Sequence, residues 1–257
     1  MVSGLSITVL GCAGTWASAD SACSGYLLSH GPTRIWVDCG PGTLSALQWH
    51  VGLAELDAMV VTHEHPDHCM ELPVVRNALR YGLGIERVPL YAPRGVLALL
   101  EQLVGSRGIT PSFNPKMIGD RSVAMIGTLR IEFSRTDHPV ETLAVRAEAS
   151  DGSTGAIVYS ADTGPGWSLT RFGDGIDLAV VEATVLAEAI GDTGGVHLTA
   201  EQAGADAKAA GVRRLVVTHV TPTGDPEAHR AEAERAFGAP VELARPHETF
   251  TVGATPT

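Results

Sequence analysis

Residues 63–68 read His-Glu-His-Pro-Asp-His and bring three imidazoles and an aspartate within six positions. Imidazole nitrogens and carboxylate oxygens are the groups with which proteins hold zinc and similar divalent metals. The segment directly follows the apolar run 58–62, which predicts a short buried strand. We therefore expect a metal-binding loop at the end of a strand.

The spacing within this loop predicts two metals. Because alternate residues of an extended segment point to the same side, His63 and His65 are expected to converge on one ion. Asp67 and His68, one step further along the chain, would then face a second ion. One loop would thus supply half of a dinuclear centre.

A histidine-rich hexad after a strand resembles the signature of the metallo-β-lactamase superfamily. Further ligands that this resemblance implies follow in chain order, each where an apolar run ends. Taken alone, His138 or His219 is more often a surface or core histidine, but their order and strand-end positions favour the interpretation as ligands. The resemblance implies His63, His65 and His138 for the first metal, Asp67, His68 and His219 for the second, and Asp162 as the bridge between them.

These ligand types suit zinc and also manganese or iron, so the predicted cofactors are two divalent metal ions, with Zn²⁺ favoured over Mn²⁺ and Fe²⁺. A bridging carboxylate can hold two cations about 3.5 to 4 Å apart, and water shared by such ions can ionise near neutral pH. We predict that this hydroxide is the nucleophile of a hydrolase. Asp67 is then both a ligand and a member of the catalytic set.

Two residues argue against particular branches of the superfamily. His65 argues against the di-iron redox branch, which typically carries glutamate at the corresponding place. Asp162 argues against the true zinc β-lactamases, which lack this bridging aspartate. Neither comparison identifies a substrate.

The segments 182–184 (Glu-Ala-Thr) and 197–199 (His-Leu-Thr) resemble paired motifs of the tRNA 3′-processing endonucleases (RNase Z) and their phosphodiesterase relatives. The resemblance implies that His197 serves the phosphate and the leaving group, and that Glu182 positions this histidine. A surface histidine at the start of a helix and a charge at the end of a strand would give the same two residues. Both interpretations stay open at the level of the sequence.

The chain departs from RNase Z in ways that predict a small substrate. The stretch from His138 to Asp162 is too short for the long basic arm that grips tRNA. With 29 acidic and 18 basic residues the net charge is −11, whereas polyanion binding depends on clustered cations. We therefore expect a small-molecule substrate and no large nucleic acid as partner.

The closest resemblance is to compact actinobacterial members of the superfamily that are related to the atypical class II cyclic nucleotide phosphodiesterases. It covers roughly residues 5 to 252, but after His219 those relatives carry a Pro-Pro-aromatic stretch, where this chain has Val-Thr-Pro at 220–222. The favoured function is hydrolysis of a small, cyclic nucleotide-like phosphodiester. The alternative is hydrolysis of a carboxylic ester, lactone or thioester, for instance in a biosynthetic pathway, and less favoured are tRNA 3′ processing and metal binding without catalysis.

The predicted strands and helices that position these residues indicate one α/β domain over residues 1–257. With 44% hydrophobic residues and no linker, the chain can bury a large core. Strand-like and helix-like runs alternate, as in the αββα metallo-β-lactamase sandwich of two packed mixed sheets flanked by helices that the resemblance implies. Predicted strands cover 5–10, 34–37, 58–62, 129–135, 143–149, 156–160, 178–182 and 214–217, and predicted helices cover 43–50, 70–81, 96–103, 199–210 and 226–237.

The sequence also bears on cellular context and on the surroundings of the site. No hydrophobic run approaches the roughly 20 residues of a membrane helix, so we expect a cytoplasmic protein with no membrane partner. The four cysteines are expected to be reduced, and a homodimer is implied by the resemblance alone. Two irregular segments, 15–21 and 105–120, could border the substrate path.

Overall fold

Two mixed sheets pack face to face in the computed structural model, which describes residues 4–105 and 108–253. Each sheet has seven strands within these ranges, which confirms the predicted αββα sandwich. In spatial order the first sheet contains β14 (Thr249–Val252), β1 (Leu5–Gly11), β2 (Gly25–His30), β3 (Thr33–Val37), β4 (Ala58–Val60), β5 (Val88–Ala92) and β6 (Phe113–Met117). The second contains β13 (Val241–Leu243), β12 (Arg214–Thr218), β11 (Ile176–Glu182), β10 (Ala156–Tyr159), β9 (Leu143–Ala149), β8 (Leu129–Arg135) and β7 (Val123–Ile126).

Each sheet has a parallel part, and these parts carry the residues of interest. Strands β3 to β6 run parallel in the first sheet, and β10 to β13 run parallel in the second. The central strands β11 and β12 are almost entirely buried, as expected for parallel strands covered on both faces. The carboxyl ends of parallel strands meet at one edge of a sheet, which is where ligands usually bind in such folds.

The apolar side chains form three layers. The inner layer fills the space between the sheets and includes Ile7, Val37, Phe133 and Ile157. The two outer layers lie between each sheet and its helices. The helices are α1 (Thr43–Leu47), α2 (Pro66–Cys69), α3 (Leu72–Asn77), α4 (Arg94–Val104), α5 (Ala200–Ala209) and α6 (Pro226–Phe237).

The two helices that cover the second sheet begin at clear capping residues. The Thr199 hydroxyl accepts the backbone N–H of Gln202, whose side chain accepts the N–H of Thr199 in return, so α5 starts with a capping box. The Asp225 carboxylate caps α6, and Pro226 occupies its first position. Of the helices in the described ranges, none is long and apolar enough to span a bilayer.

Several predicted boundaries differ from the structure. The predicted helix 70–81 is broken: α3 ends at Asn77 and a wider π-helical turn, Ala78–Leu83, continues it. The segment 105–120 was expected to be irregular, but its second half forms β6, because residues 113–117 pair in parallel with β5. Residues 106 and 107 of that segment lie outside the described ranges.

Candidate metal centre

The predicted ligands come from different strands but meet at the facing edges of the two sheets. The loop after β4 leads into α2 and carries the hexad. Single residues follow the ends of β8, β10 and β12 in the second sheet, namely His138, Asp162 and His219. Because these strands end at the same side of the sandwich, residues far apart in sequence become neighbours.

Four of the residues form a first cluster: His63, His65, His138 and Asp162 each offer one ligand atom, all within 4.8 Å of one another. His138 Nε2 lies 3.1 Å from His65 Nδ1. His63 Nε2 lies 3.6 Å from Asp162 Oδ2. All but His65 are buried, and His65 is half-buried.

A second cluster consists of Asp67, His68 and His219, with ligand atoms again within 4.8 Å. The Nε2 atoms of His68 and His219 are 3.3 Å apart, and His219 Nε2 is 3.3 Å from Asp67 Oδ2. The hexad is thus divided between the clusters, with His63 and His65 in one and Asp67 and His68 in the other.

The carboxylate of Asp162 lies between the two clusters and turns one oxygen toward each. Oδ2 is 3.6 Å from His63 Nε2 and 3.9 Å from His138 Nε2. Oδ1 is 3.2 Å from His68 Nε2 and 3.4 Å from His219 Nε2. This arrangement is the one that a bridging carboxylate requires.

The hydrogen bonds of the second cluster place both imidazole protons on the outer nitrogens. His68 donates from Nδ1 to Asp38 Oδ2 at 2.8 Å. The Thr184 hydroxyl gives its proton to the Glu182 carboxylate and therefore accepts one from His219 Nδ1, at 2.9 Å. The two Nε2 atoms then present lone pairs to each other at 3.3 Å, which is repulsive unless a proton or a metal ion lies between them.

The first cluster follows the same pattern. His138 donates from Nδ1 to the carbonyl of Val196 at 3.0 Å. The Thr62 hydroxyl donates to Asp38 and so accepts from His63 Nδ1 at 3.0 Å. His63 Nε2 is left buried without a hydrogen-bond partner among the described residues, as is Asp162 Oδ1. Such buried unpaired atoms are costly, so the residues present fit a divalent metal at each cluster.

The electrostatics of the centre also favour bound cations. Burial lowers the pKa of His63 to about 4, and the neighbouring His68 adds to this effect, so His63 is neutral and can act as a ligand. Burial opposes a charge on His68 as well, but the carboxylates of Asp162 and Asp38 raise the pKa of His68 well above its usual value. Buried carboxylates therefore favour positive charge at Nε2, which a metal ion could supply in place of a proton.

His197 lies beside both clusters, and its Nδ1 is 3.0 Å from Glu182 Oε1 and 4.0 Å from Asp162 Oδ2. Its ligand atom is also close enough to Asp162 and His219 to complete a third possible metal group. We assign it outside the metal sites because Nδ1 is bonded to Glu182 and the side chain is 18% exposed. Burial would lower the pKa of His197, but the hydrogen bond and charge of Glu182 raise it to about 9.

Sequence reasoning missed the residues that orient the ligands. Asp38, Thr62 and Thr184 each accept or relay a ligand proton, as described above. The backbone N–H of Thr15 donates to Asp67 Oδ2 at 2.8 Å, from a backbone conformation with φ of 68° that is unusual for a β-branched residue. Asp38 and Thr62 each follow a strand that ends beside the hexad. This position is the sequence feature by which their contact with the ligands could have been predicted.

Of the aromatic residues Trp16, Phe113 and Trp167, two pack in the outer apolar layers and one is exposed. Phe113 is fully buried in β6 and packs in the outer layer of the first sheet. Trp167 is buried and donates from Nε1 to Ser134 Oγ at 3.0 Å. Trp16 is 47% exposed and follows Thr15, so it alone of the three is next to a residue that contacts the ligands.

A cavity of about 450 Å³ lies against the segment that carries His219. Its walls include Val217, Val220, Pro222 and Leu243, so it is largely apolar. The isolated bridge between Ala13 and Val220 forms part of the same wall. The segment after His219 that differs from the resembled relatives thus borders this cavity, but none of the candidate metal ligands is among the residues that line it.

Comparison with known proteins agrees with this architecture. A family model described as "Beta-lactamase superfamily domain" matches residues 33–220. The chain is 32% identical over 248 residues to a Bacillus subtilis protein named "Probable metallo-hydrolase YhfI", covering 94% of this chain and 97% of the relative. The crystal structure of YhfI superposes with a TM-score of 0.86 at 29% identity, covering 97% of this chain and 99% of that one.

Two further proteins are more distant. A Mycobacterium bovis protein named "Ribonuclease Z" is 29% identical over 274 residues, covering 93% of this chain and 95% of the relative. The structure of a diphosphatase from the PhnP family has a TM-score of 0.74 at 19% identity, covering 98% of this chain and all of that one, and shows a shared fold. Since both the family model and the YhfI alignment span most of the sequence, this chain belongs to the metallo-β-lactamase superfamily.

Proposed function

We propose that the protein is a dinuclear metal-dependent hydrolase that acts on a small phosphodiester. The observation that carries this proposal is the contact between Glu182 and His197 beside the bridging carboxylate of Asp162. An arrangement for metal binding alone would not require this pair. The name of YhfI supports the metallo-hydrolase class, and the similarity to a ribonuclease supports phosphodiester chemistry.

The ligand residues would hold two divalent cations, the first at His63, His65 and His138, the second at Asp67, His68 and His219, with Asp162 shared. When bound, such cations supply positive charge that stabilises both a phosphodiester anion and an ionised water. The buried partners Thr62, Thr184 and Asp38 keep the imidazoles turned inward, so the cage is preorganised.

His197 is suited to donate a proton to the leaving group. The hydrogen bond and charge of Glu182 raise the pKa of His197 and so favour the protonated imidazole, and its side chain is partly exposed where a substrate would approach. Nδ1 donates to Glu182 Oε1, which leaves Nε2–H for the departing oxygen. Glu182 is fully buried and also accepts the backbone N–H of Thr163 and the hydroxyl of Thr184, so it is rigidly placed. We therefore assign Glu182 as a positioning residue and His197 as the general acid.

The size of the substrate follows from the surface around the centre. The stretch from His138 to Asp162 contains only β9 and β10 with their connections, and the net charge is −11. These features favour a small molecule over a large nucleic acid, because sustained phosphate binding needs many cations. A second candidate class is a carboxylic ester, lactone or thioester, favoured by the sequence Val-Thr-Pro at 220–222, where the resembled relatives carry a Pro-Pro-aromatic stretch.

A panel of substrates tests the proposal. The metal-loaded protein is assayed with bis(p-nitrophenyl) phosphate, a set of cyclic nucleotides, p-nitrophenyl esters and a lactone, in parallel with protein stripped by a chelator. We expect metal-dependent turnover of phosphodiesters. Faster metal-dependent turnover of the esters or the lactone would favour the second class, and turnover that is indifferent to the chelator would contradict both.

His197→Ala in the same panel connects the activity to this site. His50→Ala provides a matched control, because His50 is an exposed histidine paired with His247. We expect only the first substitution to reduce turnover.

A further inference from the structure

Two buried tyrosines face each other between the sheets, beneath the metal centre. Tyr26 belongs to β2 in the first sheet, and Tyr159 belongs to β10 in the second. Their ring centroids are 4.6 Å apart with the planes tilted by 49°. Both residues are buried, with relative exposures of 0% and 4%.

Each tyrosine hydroxyl bonds to a residue of the opposite sheet. Tyr159 donates to Asp38 Oδ2 at 3.1 Å, and Asp38 directly follows β3 of the first sheet. The hydroxyl of Tyr26 and Oγ1 of Thr218, the last residue of β12 in the second sheet, are hydrogen-bonded at 2.6 Å. The two contacts therefore cross in opposite directions between the sheets.

Both contacts involve an immediate neighbour of a ligand of the second cluster, one by hydrogen bond and one along the chain. Asp38 Oδ2 also accepts the Nδ1–H of His68 at 2.8 Å and the hydroxyl of Thr62 at 3.0 Å, so Tyr159, His68 and Thr62 share one oxygen. Thr218 directly precedes His219, which has a φ of 62° and whose N–H donates to the carbonyl of Cys12. The orientation of both histidines thus depends on neighbours that the tyrosines hold in place.

The first cluster is less dependent on these contacts. His138 is oriented by the carbonyl of Val196. His63 is one hydrogen bond further from Asp38 than His68 is, because the hydroxyl of Thr62 lies between His63 and Asp38. Loss of a tyrosine hydroxyl should therefore affect the second ligand set more than the first.

We infer that Tyr26 and Tyr159 are positioning residues for the second metal: by bonding across the interface between the sheets, they fix the imidazoles of His219 and His68. This inference rests on the proposed dinuclear centre. It assigns a role to the inter-sheet core beyond packing, since the relative placement of the two sheets is passed on to one of the two metal sites.

The test is metal binding by the stripped protein carrying Tyr26→Phe or Tyr159→Phe. Each change removes one hydroxyl and keeps the ring. Tyr91→Phe is the matched control, because Tyr91 lies in β5 and packs against the same inter-sheet core. Zn²⁺ affinities are measured by competition with a chromophoric chelator, and Co²⁺ absorption reports the ligand geometry at each step.

We expect two binding steps in the wild-type protein. Loss of a residue that orients a ligand typically weakens metal affinity by about 10- to 100-fold, so the step that fills the second cluster, identified as the step lost in His219→Ala, should shift by that factor in both variants. The step that fills the first cluster should change less, and Tyr91→Phe should match the wild type. Thermal unfolding of the metal-free proteins shows whether the variants fold, and Thr218→Val removes the Tyr26 contact from the other side if Tyr26→Phe does not fold.

Two unfavourable outcomes are distinguishable. Wild-type affinities for both ions in Tyr26→Phe and Tyr159→Phe would overturn the role of the tyrosines and leave the dinuclear centre intact. Binding of a single ion, or none, by the wild-type protein would overturn the centre itself and this inference with it.

Discussion

Gly40 makes a close backbone approach to the metal loop, and substituting it with alanine should displace a ligand. A Cβ built on Gly40 would lie 1.9 Å from the carbonyl oxygen of Asp67, whereas ordinary contacts begin at 3.4 Å. The neighbouring backbone is fixed on both sides, because Cys39 donates to the carbonyl of His68 and Gly40 donates to that of Ser24. The two nearest obstructing atoms belong to the backbone of Asp67 and the third is the Cβ of Cys23, so no side-chain rotation can relieve the clash.

The required separation is the difference between these distances, about 1.5 Å, shared between the two segments. If the metal loop takes half of the displacement, and since a misplacement of about 1 Å can cost about 100-fold in rate, we expect kcat/KM to fall by roughly 10- to 100-fold. Overpacking of this kind typically costs about 1 to 3 kcal/mol of unfolding free energy. For a chain of this size, that corresponds to roughly 2 to 4 °C in Tm for each kcal/mol.

Kinetics with bis(p-nitrophenyl) phosphate, metal content and thermal unfolding of Gly40→Ala measure these effects. Gly82→Ala is the control, because a Cβ at this exposed glycine would meet no heavy atom of the described chain within 4 Å. We expect the control to behave like the wild type. Gly40→Ala protein with wild-type metal content and turnover would refute the claim that this close approach sets the position of Asp67.

Three further outcomes are expected. Asp162→Ala should lose metal at both sites because the two oxygens of Asp162 face the two clusters, whereas His219→Ala should keep the first ion. Metal analysis that finds two ions in Asp162→Ala would exclude a bridging role for Asp162. His197→Ala should keep both metals but lose about 10² to 10⁴ in turnover, and the turnover of Glu182→Gln should fall by less. The loss in His197→Ala should be smaller for a p-nitrophenolate leaving group, whereas a loss independent of the leaving group would indicate phosphate binding instead of proton donation. Precursor tRNA should be cleaved poorly relative to a small phosphodiester at physiological salt, and efficient 3′ cleavage would contradict the proposed substrate class.

The strands that carry the ligands were accessible from the sequence because their apolar runs are long and end in chemically distinctive residues. Residues 129–135 and 143–149 were predicted with the boundaries that the structure has. In contrast, β6 reads Phe-Asn-Pro-Lys-Met, and it is a strand because β5 offers it a pairing edge. A pattern of hydrophobic residues cannot reveal such a strand, since tertiary pairing overrides its weak local preference.

The same distinction holds within the site. Histidine and aspartate at strand ends indicate a metal site because these residue types are common metal ligands, so the candidate ligands could be named from the sequence. Asp38 and Tyr159 act through each other although 121 positions separate them. Tyrosine in a strand is ordinary core material, and only the geometry of the two packed sheets shows which hydroxyl meets which carboxylate. The role of Thr15 was equally hidden, because it depends on a backbone N–H that every residue but proline possesses.

The distribution of the ligands over both sheets has a consequence for the order of events in folding. The cage needs the loop after β4 from the first sheet and the ends of β8, β10 and β12 from the second, so it cannot close until the sheets have docked. Metal capture should therefore be a late step, limited by contacts between residues distant in sequence. A metal that binds only the native state stabilises it in proportion to the logarithm of its free concentration. Metal supply would then determine the fraction of chains in which the two sheets are docked, as well as the fraction that is active.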